Sequence, residues 1–230
     1  MAYVLGLIYA DGTIEDCRES SRTCYIQITS KDKELLEEVQ RFIGSNHRLY
    51  LKPPRVSSIR GKTYKCVSLY NLRIGNTKIY EDLLLLGLYP RKSLTIGLPN
   101  IPQKYFSFFL RGYFDGDGCI NVYTRGPRGK AVQIIFTSGS KLFLEKLNDE
   151  IRSRLGISLK NITFQAYSYR LIYRANQAIS VCDFMYKDLK MAPYLKRKHN
   201  IYQGYLTKAQ SAQKKRGVNV STLVLVSFPL

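Results

Sequence analysis

The sequence predicts an α+β protein built as two tandem repeats, each with the element order αββαββα and related by a pseudo-twofold axis. The first observation is that segment 4–12 closely resembles residues 110–118 of the segment 110–119, and one offset of 106 positions relates the two. The second is that each half alternates between stretches with apolar residues at period two, as in 24–28, and stretches at helical spacing, as in 35–43. Together they predict that the two halves fold alike.

Each of the two similar segments is an apolar helical run with small residues on one face. Gly6 and Ala10 lie four positions apart, and so do Gly112 and Gly116. Residues four apart share a helix face, so two such faces can pack with their backbones unusually close. We therefore expect the two helices to cross, with their carboxyl ends adjacent.

Both helical runs end in an aspartate, Asp11 in the first segment and Asp117 in the second. Carboxylates are disfavoured at the negative end of a helix and near one another, so the pair calls for a cation. Oxygen ligands favour a divalent metal such as Mg²⁺. Taken singly, each acidic, glycine-rich turn is typical of a simple helix C-cap, but two copies in register favour the metal site.

The two segments resemble the signature of the LAGLIDADG homing endonucleases, in the single-chain form that carries two motifs. The resemblance covers residues 3–206, and both catalytic positions of the family, Asp11 and Asp117, are intact. The first motif departs from the family pattern at Tyr9, where an acidic residue is usual, whereas the second keeps Asp115. The resemblance implies a saddle of two antiparallel DNA-reading β-sheets around a central two-helix interface.

The same resemblance implies the residues of the site. Lys92 and Lys198 occupy equivalent places after the second helix of each repeat and would act as basic partners that polarise water or the transition state. The alternative for both lysines is phosphate anchoring without a role in the chemistry. Mg²⁺ or Mn²⁺ is the implied cofactor, and no organic cofactor is expected. The implied metal ligands are the side chains of Asp11 and Asp117 and the backbone carbonyl groups of Ala10 and Gly116.

The charge balance points to a polyanionic partner. The 230 residues include 36 lysines and arginines against 17 acidic residues, which gives a formal net charge of +19. Nucleic acid is the first candidate partner, and an anionic membrane surface is the second. No run of about 18 apolar residues occurs, so no membrane-spanning helix is expected.

Cysteine usage and the amino-terminal residues bear on the compartment. The five cysteines form no Cys-x-x-Cys pair and are accompanied by two histidines, so neither a zinc site nor a disulfide framework is expected. No secretory signal is expected either, because no basic region precedes the apolar run 3–10. These features favour an intracellular protein, in an archaeal or bacterial cytoplasm or in an organelle.

The strands are expected to carry the DNA contacts. One face of 23–29 is apolar and the other is polar and aromatic, as suits a surface that reads base edges. A ribbon of about ten residues spans about 33 Å, which covers on the order of ten base pairs per half. Because the polar faces of the halves differ, a pseudo-twofold monomer would recognise an asymmetric duplex. The predicted DNA-binding residues are Glu15, Arg18, Arg22, Tyr25, Gln27, Thr29, Arg55, Arg60, Lys65, Asn71 and Arg73 in the first repeat and Asn121, Tyr123, Arg125, Arg128, Lys130, Gln133, Tyr167, Arg170 and Arg174 in the second.

The predicted organisation is a first repeat at 1–99, a second repeat at 100–206 and a C-terminal extension at 207–230 whose role stays open. In the first repeat, we expect a helix to begin at Ser30 with its acidic side chains facing solvent. We expect 64–74 to form one strand.

The residues and the resemblance together predict a site-specific homing endonuclease that makes a metal-dependent double-strand cut in a long DNA target. Two alternatives use the same fold. An intron RNA maturase would bind its own intron RNA as a splicing cofactor and would need no catalysis. A DNA-binding regulator would show no metal-dependent activity. The intact Asp11 and Asp117 favour the nuclease.

Overall fold

The computed structural model describes residues 1–21, 23–59 and 62–215, which form two repeats. The first repeat follows the predicted element order with two additions, a single-turn helix and an extra strand pair. Its helices are α1 (Ala2–Asp11), α2 (Arg18–Ser21), α3 (Lys33–Phe42) and α4 (Thr77–Leu85), and its strands are β1 (Gly12–Asp16), β2 (Cys24–Ser30), β3 (Leu49–Lys52), β4 (Arg55–Ile59), β5 (Lys62–Cys66) and β6 (Leu69–Gly75).

The second repeat has the predicted order αββαββα and is followed by one long helix. Short 3₁₀ helices, among them Lys92–Leu94, lie in the connecting segments. The helices are α5 (Phe106–Asp117), α6 (Lys141–Leu155), α7 (Asn176–Tyr186) and α8 (Lys196–Lys215), and the strands are β7 (Gly118–Thr124), β8 (Lys130–Ser138), β9 (Thr163–Gln165) and β10 (Ser168–Arg174).

Each repeat contains one antiparallel four-stranded sheet, and the two sheets have equivalent strand orders. The first is ordered β1-β2-β6-β3 and the second β7-β8-β10-β9. In the first sheet Ile14 pairs with Ile26, and in the second Ile120 pairs with Ile134. All four isoleucines are buried, so each sheet turns one face to the core and leaves the other for polar residues. The predicted α+β fold with tandem repeats is confirmed.

The first repeat carries a long hairpin that the second repeat lacks. The pairing of Lys52 with Leu69 in β3 and β6 continues, in the same alignment, as the pairing of Arg55 with Cys66 in β4 and β5. Two prolines at 53–54 interrupt the ladder because proline has no N–H group to donate. The prediction of one strand over 64–74 is therefore wrong, since this stretch divides between β5 and β6.

The two motif helices, α1 and α5, cross with their backbones in contact. Gly6 lies against the carbonyl oxygen of Phe109, and Gly112 lies against the carbonyl oxygen of Tyr3. A Cβ atom at either glycine would overlap that carbonyl group. The two contacts are equivalent under the 106-residue offset, so the crossing itself displays the pseudo-twofold relation between the repeats.

One other expectation, the start of a helix at Ser30, meets a different outcome. Ser30 is the last residue of β2, and its Oγ atom accepts a hydrogen bond from the Asp32 backbone N–H at 3.1 Å. This local bond makes a turn, and α3 begins only at Lys33. Helix α8 runs from Lys196 to Lys215, so residues 207–215 of the expected extension continue that helix.

Several predicted features fall outside the described residues, namely Arg22, Arg60 and segment 216–230. For Arg128 only the backbone is described, in a 3₁₀ turn before β8. Within the ranges that the structure covers, no helix combines the length and apolar character needed to cross a membrane.

Candidate active site and nucleic-acid interface

The carboxyl ends of α1 and α5 meet at the helix crossing. Ala10 lies against Gly116, and the Asp11 carboxylate packs beside the place that a side chain at Gly116 would fill. Because Asp117 directly follows Gly116, the two predicted aspartates come together at this point. Asp11 is exposed and Asp117 is half-buried, so both remain accessible to a ligand.

The two carboxylates lie in an environment that disfavours their ionised forms. Burial and the neighbouring Asp11 carboxylate raise the pKa of Asp117 to about 6. The Asp11 residue is exposed as a whole, but its carboxylate packs against the opposite helix, and this partial desolvation raises its pKa. The charges of Lys92 and Lys198 oppose both shifts. Among the described residues, neither carboxylate has a hydrogen-bond or ion-pair partner, so the local negative charge is compensated only through space.

Lys198 is buried beneath the end of α5 and holds it. An ammonium group has three N–H donors, and the Lys198 Nζ atom donates to three backbone carbonyl oxygens. Burial lowers the pKa of Lys198 to about 8, although the nearby Asp115 carboxylate opposes that shift. The acceptors are Phe114 at 2.5 Å, Asp115 at 2.9 Å and Gly118 at 2.5 Å.

Lys92 holds the end of α1 in a similar way. Its Nζ atom donates to the Gly12 carbonyl oxygen at 2.6 Å, and Gly12 directly follows Asp11. Burial lowers the pKa of the Lys92 ammonium, against the opposing charges of Asp117 and Asp11. Both lysines thus fix the backbone beside an aspartate and also place a positive charge near the carboxylate pair.

A second tether joins each motif helix to the segment that leads to its lysine. In the second repeat, the buried Asp115 carboxylate accepts hydrogen bonds from the Leu195 N–H at 2.8 Å and from the Tyr3 hydroxyl at 2.9 Å. In the first repeat, the Tyr9 hydroxyl donates to the Leu86 carbonyl oxygen at 2.5 Å. Tyr9 occupies the position where the family usually has an acidic residue. It keeps an equivalent tether, but its side chain donates the hydrogen bond, whereas that of Asp115 accepts one.

The donor set at the crossing suits a hard divalent cation. Two carboxylates and the nearby carbonyl groups of Ala10 and Gly116 offer only oxygen atoms. Among the described residues, histidine, cysteine, aspartate and glutamate form no cluster of three or more that could hold a metal. An ion at the crossing would therefore depend on the two carboxylates and the backbone carbonyl groups. Mg²⁺ is commonly bound through one or two carboxylates, with water and phosphate oxygens completing its shell. The residues present therefore fit Mg²⁺ or Mn²⁺.

The outer face of the first sheet brings the predicted base-reading residues together. The Arg73 guanidinium lies 3.6 Å from the centre of the Tyr25 ring and 3.5 Å from the Glu15 carboxylate. The Asn71 amide donates to the Gln27 side chain at 3.0 Å. The predicted residues that share this face are Glu15, Tyr25, Gln27, Thr29, Asn71 and Arg73.

The second sheet gathers a different set on the corresponding face. The Arg174 Nε atom donates to the Gln133 side chain at 2.7 Å, and Gln133 pairs across the ladder with Asn121. Arg170, on the same strand as Arg174, donates to the Gln165 side chain at 2.8 Å. The predicted residues of this face are Asn121, Tyr123, Gln133, Arg170 and Arg174.

The remaining predicted contacts lie at strand ends and turns. Arg18, in α2, is bound to Asp16 at 2.5 Å, so its charge is already shared with a carboxylate. Tyr167 is exposed in the turn between β9 and β10. Such peripheral positions suit phosphate contacts better than base contacts. Arg55 and Lys65 lie on the β4–β5 hairpin, and Arg125 and Lys130 lie at the β7–β8 turn.

The sequence reading missed an ion pair beside the site. The acidic residues of the helix predicted from Ser30 were expected to face solvent, but Asp32, which directly precedes α3, accepts hydrogen bonds from the Arg197 Nε atom at 3.0 and 3.1 Å. Lys196 likewise lies 3.2 Å from Glu38. The basic run at 196–198 next to an acidic helix was the available signal, but it does not identify the partner.

Sequence comparison finds similar segments in much longer archaeal proteins. The chain is 26% identical over 208 residues to a reverse gyrase from Methanocaldococcus jannaschii, covering 89% of this chain and 11% of that protein. It is 30% identical over 154 residues to a probable translation initiation factor IF-2 from Thermococcus kodakarensis, covering 64% and 11%. The chain thus spans about a tenth of these curated relatives, at 11% in each case.

Structural comparison finds the same fold in DNA-bound meganucleases. The meganuclease I-SmaMI bound to uncleavable DNA matches with a TM-score of 0.59 at 16% identity, over 94% of this chain and 92% of that one. The LAGLIDADG homing endonuclease I-LtrWI bound to target DNA matches with a TM-score of 0.52 at 13% identity, over 94% and 90%. A sequence model of the LAGLIDADG-like domain matches residues 1–80 and again residues 107–180. With both repeats matched, the chain belongs to the LAGLIDADG-like domain family and carries its two motifs in one polypeptide.

Proposed function

We propose that this chain is a site-specific endonuclease that hydrolyses one phosphodiester bond in each strand of an asymmetric DNA duplex, with Mg²⁺ or Mn²⁺ bound. The observation that carries the proposal is the meeting of Asp11 and Asp117 at the crossing of α1 and α5. Family membership supports it, and so do the names of similar structures, which include I-SmaMI bound to uncleaved DNA in the presence of calcium ions.

The proposed chemistry divides between the metal and the protein. When bound, the metal would lower the pKa of an attacking water and offset charge on the phosphate and the leaving oxygen. Asp11 and Asp117, with the carbonyl groups of Ala10 and Gly116, would hold it at the crossing. Lys92 and Lys198 keep the ends of α1 and α5 in place, and their charges favour the ionised carboxylates that a metal needs.

The proposed target is asymmetric because the two reading faces differ in chemistry. Gln27 and Asn71 hydrogen-bond to each other on the first face, whereas Gln133 bonds with Arg174 on the second. Amide and guanidinium groups prefer different base edges in the major groove. A single chain with unlike halves would therefore recognise unlike half-sites as a monomer.

The names of the curated relatives do not transfer to this chain. A reverse gyrase and a probable translation initiation factor have different named activities, yet each shares with this chain a segment that is 11% of its length. A segment common to proteins with such different names behaves as a separate unit. We therefore infer that neither named activity belongs to this chain.

The first test is cleavage of a supercoiled plasmid. The plasmid carries the host gene in the form that lacks the intron encoding this protein. With Mg²⁺, the wild-type protein should linearise the plasmid at one position. Asp117→Asn should give no linear product, because it removes a metal ligand, while its affinity for the same duplex without metal should stay within about threefold. Gel-shift titration measures the binding.

The control is Lys78→Met, which removes one positive charge. Lys78 lies outside both motifs in the sequence and forms an exposed ion pair with Asp82. This variant should cut like the wild type. Cleavage of both strands by Asp117→Asn would refute the metal-site assignment. An intron RNA maturase would instead assist splicing without cutting, and a regulator would bind DNA without metal-dependent cleavage.

A further inference from the structure

The segment that carries Lys198 is bound to α5 of its own repeat and is also held by the first repeat. Lys198 lies in the first turn of α8, and its ammonium group points to the end of α5. The neighbouring Arg197 reaches the other way, to the first repeat, where its Nε and terminal nitrogen bind both oxygens of Asp32 at 3.0–3.1 Å. Asp32 is the residue that directly precedes α3.

The segment that carries Lys92 has the reciprocal arrangement. Ser140 directly precedes α6 in the second repeat, and its Oγ atom donates to the Ile96 carbonyl oxygen at 2.7 Å. The adjacent Gly139 packs against the Ser93 carbonyl group, one residue from Lys92. Asp32 and Ser140 are structural equivalents, because the backbone N–H of each donates to a serine Oγ two residues earlier at 3.1 Å.

The two reciprocal contacts differ in chemistry. Ser140 is buried and makes a neutral hydrogen bond, whereas Arg197 and Asp32 form a two-pronged ion pair with the Arg197 side chain 46% exposed. Exposed ion pairs contribute little to global stability and are weakened by salt. Lys196, one residue earlier, adds ion pairs to Glu34 and Glu38 of α3 at 3.4 and 3.2 Å, but only Arg197 binds its partner through two nitrogens. Removing the Arg197–Asp32 pair should therefore loosen one lysine-bearing segment without detaching it, while leaving the fold and the other segment intact.

We propose that Arg197 and Asp32 form an inter-repeat brace that positions Lys198 at the end of α5. This brace thereby sets the cleavage rate of one DNA strand, a part of the proposal that rests on the proposed function. Arg197 and Lys198 are successive helical residues, so their side chains leave α8 about 100° apart. Fixing Arg197 on the first repeat fixes the rotation of this turn, and with it the direction of Lys198. Arg197 is thus a positioning residue that acts through Lys198.

The first experiment needs neither metal nor DNA. Wild-type protein, Arg197→Met and the charge-matched control Lys78→Met are treated with acetic anhydride, and acetylation of Lys92 and Lys198 is followed by mass spectrometry. In Arg197→Met, acetylation of Lys198 should rise at least about fivefold, because local opening exposes its amine. Acetylation of Lys92 should not change. Unchanged protection of Lys198 would overturn the brace.

The second experiment follows each strand of a duplex target labelled separately at its two 5′ ends. Arg197→Met should slow one strand about tenfold and leave the other near the wild-type rate, so that nicked product accumulates. The charge-reversed double variant Asp32→Arg with Arg197→Asp should recover most of the lost rate. Equal slowing of both strands, or of neither, would contradict the proposal. If the wild-type protein cuts no target, the proposed function fails, and the acetylation result still decides whether the brace positions Lys198.

Discussion

Asp11 and Asp117 occupy positions that disfavour the folded state when no cation is present. Each lies at the carboxyl end of a helix, where the dipole is already negative, and each is close to the other. Lys92 and Lys198 oppose this effect only in part, because their N–H groups are directed to backbone carbonyl oxygens. The metal-free protein therefore carries an electrostatic penalty at neutral pH.

We predict that Asp117→Asn stabilises the metal-free protein at pH 7 by about 1–2 kcal/mol. The raised pKa of Asp117, about 6, means that the folded state binds this proton more tightly than the unfolded state does. The stability from Asp117 is therefore complete below about pH 4 and is lost as the pH rises through 6. The advantage of asparagine should shrink accordingly on acidification.

Urea unfolding in EDTA at pH 7 and at pH 4.5 measures the effect as a difference between the variant and the wild-type protein. Carboxylates distant from the crossing titrate alike in both proteins and cancel in this difference, whereas the neighbouring Asp11 contributes to the effect because its charge interacts with that of Asp117. A variant that is less stable than wild type at pH 7, or a difference that does not change with pH, would contradict the prediction. The same variant thus separates loss of chemistry from loss of folding.

At the scale of elements, the crossing of α1 and α5 depends on the absence of side chains. Gly6 and Gly112 each contact a carbonyl oxygen of the opposite helix. Backbone atoms cannot move aside as a flexible side chain can. The contact therefore tolerates no added atom without separating the two helices and the aspartates at their ends.

We predict that Gly112→Ala destabilises the protein by about 3 kcal/mol or more, because its Cβ atom would overlap the Tyr3 carbonyl group. The matched control is Gly204→Ala in α8, where nothing lies within 4 Å of the added atom. This control should stabilise the protein by about 0.5–1 kcal/mol through helix propensity. Thermal unfolding of both variants checks the prediction, and a neutral Gly112→Ala would refute the close crossing.

The elements that the sequence predicted well are those with a local pattern. The repeated small residues revealed the crossing helices, and the period-two stretches gave β2 and β8 because one face of each strand is buried. Strands β4 and β5 were not predicted as a separate strand pair. Their described side chains are almost all exposed, so no alternation marks them, although their backbone pairing continues that of β3 and β6.

At the scale of the whole molecule, the long hairpin makes the repeats unequal in reach. Beyond the four-stranded sheet, β4 and β5 add five residue pairs, from Arg55 with Cys66 to Ile59 with Lys62. In the second repeat, β9 and β10 make three pairs, which correspond to the four pairs of β3 with β6, and no pairs among its described residues correspond to those of β4 with β5. Five pairs extend about 17 Å, which is about five base pairs along a duplex.

We predict that replacing residues 53–68 with Asn-Gly shortens the DNA footprint by about five base pairs at one end only. Lys52 and Leu69 are cross-strand partners, so a two-residue turn can join them without disturbing the sheet. Hydroxyl-radical footprinting measures the protected length. The cleavage position should not move, because the helix crossing is untouched, and equal shortening at both ends would contradict the prediction.

The site residues that recur in both repeats could be predicted from the sequence. The side-chain contacts between the two repeats could not. One offset relates Asp11 to Asp117 and Lys92 to Lys198, so each residue helped to identify its counterpart. The pairing of Asp32 with Arg197 spans 165 positions and follows no period. Such a contact depends on how the halves dock, which composition and spacing do not encode.

The glycine-lined crossing also makes the halves exchangeable in principle. Its closest contacts involve main-chain atoms, so a partner needs small residues at the corresponding positions and side chains that can replace contacts such as the hydrogen bond from Tyr3 to Asp115. A half taken from a relative that meets these requirements would dock at the same angle and bring its own recognition surface. Hybrid proteins assembled in this way would address new composite DNA sequences, provided that the donor half also supplies a matching residue before its α3 or α6.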